Sequence, residues 1–401
     1  MSLPPEIILA ILEPEYYTVL GSPNYSLLST CALVCSTWSG PAQSLLFRNV
    51  KKLRASNTPI FNVAIDPSTP RGRMLGSCVR TLDIHVGRSV NDSCSPQDFV
   101  RLLRGCPRLY ELVLSTYGIH EFSEEALIEL REGGGSLKAL SLMYCGVQSP
   151  VIFQLLGVWP QIQFLKIGTE IVASPPRSFH LAGSSISVAS GAPVQLYDLV
   201  LLRTPSPEVL AWLLASSTES LRIVELREMP GGAARNILAN HTTRLRSLRL
   251  LHYSMDSAAL LRECTELEEF MVYHVPTVVP LAPDLPQSIK HFGFRNPIYN
   301  YRDTLSPILE AVSRLPRLRT LTCDQNAVQL SDFSQLQSVC DDRGVEVVVS
   351  EVPFWVVGRF RLWDFIDCMV LMICTTQQFE DPVVARRFPR RRSVSNFGLM
   401  A

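Results

Sequence analysis

The sequence lacks net charge. Its 37 Lys and Arg residues balance 37 Asp and Glu residues, so the chain as a whole has no electrostatic pull on a phosphate backbone, and no nucleic-acid partner is expected. Charge of either sign is itself sparse, at 18% of residues against 47% hydrophobic, which excludes a disordered chain and fits a packed one. The 11 cysteines are odd in number and show no paired spacing. That excludes a disulfide framework and leads us to expect reduced thiols inside a cell. No basic segment followed by an unbroken apolar run opens the chain, so no secretory leader is expected.

Motifs that carry chemistry are missing as well. Neither G-x-G-x-x-G nor G-x-x-x-x-G-K-[ST] occurs, which removes the common phosphate cradles. His120–Glu121 is followed by Glu124 rather than a second His, and no G-x-S-x-G is present, so zinc-protease and nucleophile-elbow chemistry have no anchor. Cys31 and Cys35 stand four residues apart with no second ligand pair nearby, a spacing that reads as helix packing rather than zinc. No cofactor, metal or catalytic residue is expected, and the chain is read as a non-enzyme. One strongly apolar stretch, residues 352–374, contains Arg359, Arg361, Asp364 and Asp367. Each charge costs roughly 2.5–3.5 kcal/mol at the centre of a spanning helix, so no membrane partner is expected.

What the chain has in abundance is a repeated pattern. L-x-x-L-x-L occurs at Leu109–Leu112–Leu114 and at Leu137–Leu140–Leu142. Looser copies start at Val79, Ile162, Leu196, Leu221, Leu245, Leu267, Ile289 and Leu318, giving ten copies at spacings of 22 to 34 residues, the signature of leucine-rich units. Between them, "SPQDFVRLLRGC", "SEEALIELREG", "SPEVLAWLLAS" and "SAALLRECTE" place apolar residues three and four apart, each beginning with a Ser that can cap a first turn. Strand, turn, helix and return describe an α/β solenoid, with a parallel sheet on the concave face and helices on the convex face. The apolar residues of each unit point inward, and the strand residues between them face the concave side. There Glu225, Arg227, Arg249, Glu269, Met271 and Tyr273 are expected to form one contiguous substrate-binding patch of both charge signs with an aromatic anchor.

The first fifty residues are different. "LPPEIILAILE" starts a helix with Pro4 and Pro5 in the first turn and an inner face of Ile8, Ile11 and Leu12. In "SLLSTCALVCSTWS", Leu27, Cys31, Val34 and Trp38 form one helical stripe and Leu28, Ala32 and Cys35 a second. That arc is wider than one packing neighbour needs, so a second partner is expected. Gly40–Pro41 is read as the break before a third helix.

L-P-P-E-I-I-x-x-I-L followed by S-L-L-x-x-C-x-L-V-C-x-x-W resembles an F-box. With the repeats behind it, the chain resembles F-box/leucine-rich-repeat proteins of the fungal type, over residues 2–48 and 76–350. The resemblance implies a substrate receptor of a Skp–cullin–F-box ubiquitin ligase. A Skp-family adaptor, and through it a cullin, would bind Leu3, Pro4, Ile8, Leu27, Leu28, Val34, Cys35 and Trp38, and the repeats would bind a substrate protein. The domain plan is then an F-box helical domain at 1–50, a linker at 51–75, the solenoid at 76–350 and a C-terminal segment at 351–401. Arg386, Arg387, Arg390, Arg391 and Arg392 near the end read as a nuclear-localisation or phosphate-binding cluster, or as a basic tail with no role. The expected location is cytoplasmic, nuclear or both. The alternative reading of the same residues is a non-catalytic interaction scaffold whose N-terminal helices only cap the solenoid.

Overall fold

A computed structural model describes residues 3–18, 23–87, 93–176, 191–274, 280–295 and 304–350. Readings that fall on residues 351–401, including the apolar stretch at 352–374 and the arginine cluster, lie outside the described residues. Among those described, no helix is long and apolar enough to cross a membrane. The N-terminal helices up to Leu45 and the chain from Leu46 to Ser350 are separate compact units.

The first unit contains α1 (Pro5–Leu12), α2 (Tyr25–Val34) and most of α3 (Ser36–Leu46). Pro5 supplies a preset φ where its missing N–H costs nothing, and the Asn24 side chain caps α2 by accepting from Leu27 N at 3.2 Å. Two expectations are corrected here. Cys35 adopts extended backbone (φ −165°, ψ 170°) and ends α2, so Trp38 belongs to α3 and does not continue the Leu27–Cys31–Val34 stripe. Pro41 lies inside α3 rather than ahead of it; that helix forgoes one ladder hydrogen bond at the proline. The backbone N–H groups of Trp38 and Thr37 beside it draw the Cys35 thiol below its usual value.

From Leu46 to Ser350 the chain is a leucine-rich-repeat solenoid. Its strands are β1 (Asn49–Leu53), β2 (Thr81–Gly87), β3 (Glu111–Tyr117), β4 (Ala139–Tyr144), β5 (Phe164–Ile167) and β6 (Asp198–Leu201). They continue as β7 (Ile223–Leu226), β8 (Ser247–Leu250), β9 (Glu269–Val272), β10 (His291–Phe294), β11 (Thr320–Cys323) and β12 (Glu346–Val349). All twelve form one sheet in sequence order, and every neighbouring pair is parallel. The ten strands read from the repeat pattern are present. β1 and β12 extend the sheet at its ends, where L-x-x-L-x-L is absent because a terminal strand packs on a neighbour from one side only.

Segment 51–75 is therefore not a linker. It carries the end of β1, then α4 (Thr58–Ala64) and the start of α5 (Pro70–Cys78). The next helix, α6 (Pro96–Gly105), packs so close to α5 that a Cβ on Gly76 would lie 2.0 Å from the Gly105 carbonyl oxygen. Only glycine permits that approach.

The register explains the sequence pattern. Leu82, Leu112, Leu140, Leu165, Leu199, Val224, Leu248, Phe270, Phe292 and Leu321 are aligned across the sheet. All ten are essentially fully buried. A second aligned row, from Ile84 and Leu114 to Phe294 and Cys323, is buried as completely. Each such side chain contributes roughly 1.5–3 kcal/mol on burial, and the stacking makes each repeat depend on its neighbours. Serine hydroxyls staple successive repeats: Ser136 donates to Leu109 O, Ser220 to Leu196 O and Ser288 to Leu267 O, at 2.7–2.8 Å. Ser95, Ser123 and Ser206 cap their helices as the sequence implies. The helix expected from Ser257 starts earlier, at Met255, because Ser254 and Ser257 close a capping box.

Candidate functional site

The concave face is built from alternate strand residues, and at its centre these are charged. In one aligned row β5 to β9 present Lys166, Val200, Glu225, Arg249 and Met271. In the row beside it stand Phe164, Asp198, Ile223, Ser247, Glu269 and His291. Glu225, Arg249, Glu269 and Met271 are thus contiguous, as the repeat spacing implies, with Arg227 and Tyr273 half-buried at the strand ends. Their exposure differs from the expectation. Glu225 is 2% and Arg249 5% exposed, and Met271 is buried. Closely spaced parallel strands shield each side chain with the next, so this is an enclosed ion cluster and not a solvated face.

Hydrogen bonds organise its C-terminal half. Arg249 donates from Nε and Nη2 to Glu269 Oε1, at 3.1 and 2.9 Å, and Ser247 Oγ donates to the same oxygen at 2.6 Å. The other Glu269 oxygen lies 3.0 Å from His291 Nδ1, while His291 Nε2 lies 2.9 Å from Thr322 Oγ1. Burial alone raises Glu269, but the Arg249 charge and the His291 contact outweigh it and hold this carboxyl well below the usual carboxylate range. Thr322, His291 and Glu269 form a hydroxyl–imidazole–carboxylate chain. The strand amides around Thr322 are committed to the parallel ladder with β10 and β12, so they do not serve as oxyanion donors.

The N-terminal half of the cluster is less well satisfied. Asp198 Oδ1 and Glu225 Oε2 are buried without a hydrogen-bond partner. Glu225 Oε2 lies 3.8 Å from Arg249 Nη1, an ion pair without a hydrogen bond. Burial pushes Glu111 and Asp198 each up to about 7, against the opposing pull of Lys166 on Glu111 and of Arg249 on Asp198. Burial raises Glu225 too and lowers Lys166.

A pH dependence follows. The folded chain holds protons on Glu111 and Asp198 that the unfolded chain releases near its ordinary values of 4.5 and 3.8. The stability they confer is present below those values and lost as pH rises through about 7. His241, His252 and His274, all lowered chiefly by burial, act in the opposite sense but below about pH 6.5. Between pH 6.5 and 8 the solenoid is therefore expected to lose roughly 1–2 kcal/mol. Urea midpoints across this window measure the loss, and the double variant Glu111→Gln/Asp198→Asn should flatten it.

A second feature of this face was not foreseen from the sequence. At the ends of β2–β4, His85 meets Tyr117 edge-on at 5.5 Å, and Tyr117 stacks on Tyr144 at 4.8 Å. Tyr144 is exposed. Tyr117 and Tyr144 lie beyond the L-x-x-L-x-L core of their repeats, where residue type carries no periodic signal.

The residues singled out on the N-terminal unit divide. Leu3, Pro4, Val34 and Cys35 are exposed, and Leu27 and Trp38 are half-buried. Ile8 and Leu28, however, are fully buried and are corrected from contact residues to core. Ile11, expected inside, is exposed, as are Ile7 one turn before it and Leu33 on α2, the last at 86%. The helix presents the face opposite to part of that expected, because Ile8 and Leu12 alone supply its inner side.

No protein-family model matches the chain, and no curated protein matches its sequence. Among solved structures it is similar to the crystal structure of the leucine-rich repeat-containing protein LegL7 from Legionella pneumophila. That match has 13% identity and a TM-score of 0.34, over 72% of this chain and 80% of that one. The fold assignment stands on the twelve-strand parallel register itself.

Proposed function

We propose that the chain is the substrate-recognition subunit of a Skp–cullin–F-box ubiquitin ligase. The N-terminal helices dock on a Skp-family adaptor, and the concave sheet holds the protein to be modified. Ubiquitin transfer belongs to other subunits, and this chain supplies binding alone. The observation that carries the reading is the apolar surface left open on a small helical unit. Leu3, Ile7 and Ile11 recur every four residues, and Leu33 and Val34 follow on α2, all 46–86% exposed. Single exposed apolar residues are ordinary, whereas five within a unit of this size call for a covering partner. The F-box-like motif around them names that partner as the adaptor.

Co-expression with a Skp-family adaptor tests this. The wild-type chain should co-purify with the adaptor, and Val34→Asp with Leu33→Asp should reduce recovery at least tenfold. Since both side chains are largely exposed, the thermal midpoint should stay within a degree or two of wild type. Failure of the wild-type chain to retain the adaptor would make it a free-standing interaction scaffold.

A further inference from the structure

The concave cluster does not balance its charge. Four carboxylates, Glu111, Asp198, Glu225 and Glu269, face two basic side chains, Lys166 and Arg249. Arg249 is spent chiefly on Glu269. Lys166 is left to interact with Glu111, Asp198 and Glu225 together. Asp83 adds to the negative field at Glu111. Two oxygens, Asp198 Oδ1 and Glu225 Oε2, have no hydrogen-bond partner, on side chains more than nine-tenths buried. A buried carboxylate short of partners costs stability, and such costs persist in native chains at sites that a ligand completes.

The geometry narrows the ligand. Among the described residues no three acidic, His or Cys side chains converge closely enough to hold a metal ion. Asp198 and Glu225 stand on adjacent strands one pleat apart, a diagonal separation of about 7–8 Å. A planar guanidinium, with five donors spread over a rigid fork, can donate in fixed directions to two such carboxylates at once, whereas an ammonium acts on them as a compact point charge. From β3, next to the Tyr117–Tyr144 stack, to β9, which leads into Tyr273, there are six strand spacings. At ~4.8 Å each this is about 29 Å, the length of roughly nine extended residues. Aromatic groups therefore stand on either side of the acidic centre across the sheet, four to six residues further along their strands than the row of Asp198.

We infer that the concave face binds an extended segment of a partner protein and that Asp198 and Glu225 receive an arginine side chain at its centre. This rests on the reading of the solenoid as the partner-binding half of the chain. Lys166, an ammonium on a rotatable stem, is the cation that gives way. Protons on Glu111 and Asp198 offset part of the excess charge, and the incoming guanidinium displaces them.

Fluorescent nonapeptide pools, randomised except for a central arginine, citrulline, lysine or glutamate, provide the test with the full-length chain. Citrulline keeps the shape of arginine and removes its charge. The arginine pool should bind at least tenfold more tightly than the citrulline and lysine pools, with proton release detected by calorimetry in two buffers. Asp198→Asn/Glu225→Gln should abolish the preference while raising the thermal midpoint, because it removes uncompensated buried charge. Equal binding of the arginine and citrulline pools would overturn the inference, and so would a double variant that keeps the preference. A variant that loses the preference but melts lower would also overturn it, since the carboxylates would then serve the fold. A parallel adaptor pull-down separates the two readings. Adaptor capture without arginine preference sinks only this inference, and arginine preference without adaptor capture sinks only the ligase reading.

Discussion

Replacing Arg249 with Met should destabilise the solenoid by about 3–5 kcal/mol, the usual consequence of removing one partner from a buried ion cluster. Arg249 is 5% exposed and donates twice to Glu269. Its loss leaves Asp198, Glu225 and Glu269 facing Lys166 and His291 alone. The defect should shrink as pH is lowered toward 6, because carboxylates already raised by burial then take up protons. Denaturant unfolding at pH 6 and pH 8 measures both parts. Arg227→Met is the matched control, a half-exposed cation at the end of the neighbouring strand, and should change stability by about 0.5 kcal/mol or less. A small effect at Arg249 that does not vary with pH would mean that the cluster is solvated after all. For the same reason, charge reversal at Arg249 is not a clean test of partner binding, since it would damage the fold first.

Gln154→Leu is the second large effect. Gln154 is the one polar side chain in the otherwise apolar helix Val151–Val158. Its Nε2 donates to Phe122 O at 3.0 Å, and its Oε1 accepts from Phe122 N at 2.9 Å. The amide thus acts as a stretch of backbone that pairs with the loop leading into the helix Glu124–Gly133. Leucine fills a similar volume but strands a buried N–H and a buried C=O. At about 1–3 kcal/mol for each of the two unsatisfied groups, the expected loss is roughly 2–6 kcal/mol. Hydrogen exchange should localise it, with protection falling at Phe122 and through the first turn of that helix before the strands are affected. Uniform loss of protection along the whole sheet would contradict this account.

The repeats were legible in the sequence because a solenoid is nearly one-dimensional. Leu112 needs only Leu82 and Leu140 beside it, and each repeat carries its own inward-pointing residues, so a local pattern specifies a local contact. Serine caps, helix faces and the parallel sheet follow from residues a few positions apart. The inventory of charges on the concave face was visible in the same way, strand by strand. Which carboxylate is satisfied was not. Glu269 finds Arg249, Ser247 and His291 at separations of 20 and 22 residues, while Asp198 Oδ1 finds no one. That outcome depends on register and side-chain reach across strands, which no spacing encodes. On the N-terminal unit, an apolar surplus could be read from composition, but not which residues would carry it. Helix rotation and the break at Cys35 decided that, burying Ile8 and Leu28 and leaving Ile7, Ile11 and Leu33 outside. A helix with apolar residues on more than one side has several faces of similar burial energy, and only the packing of its neighbours selects among them.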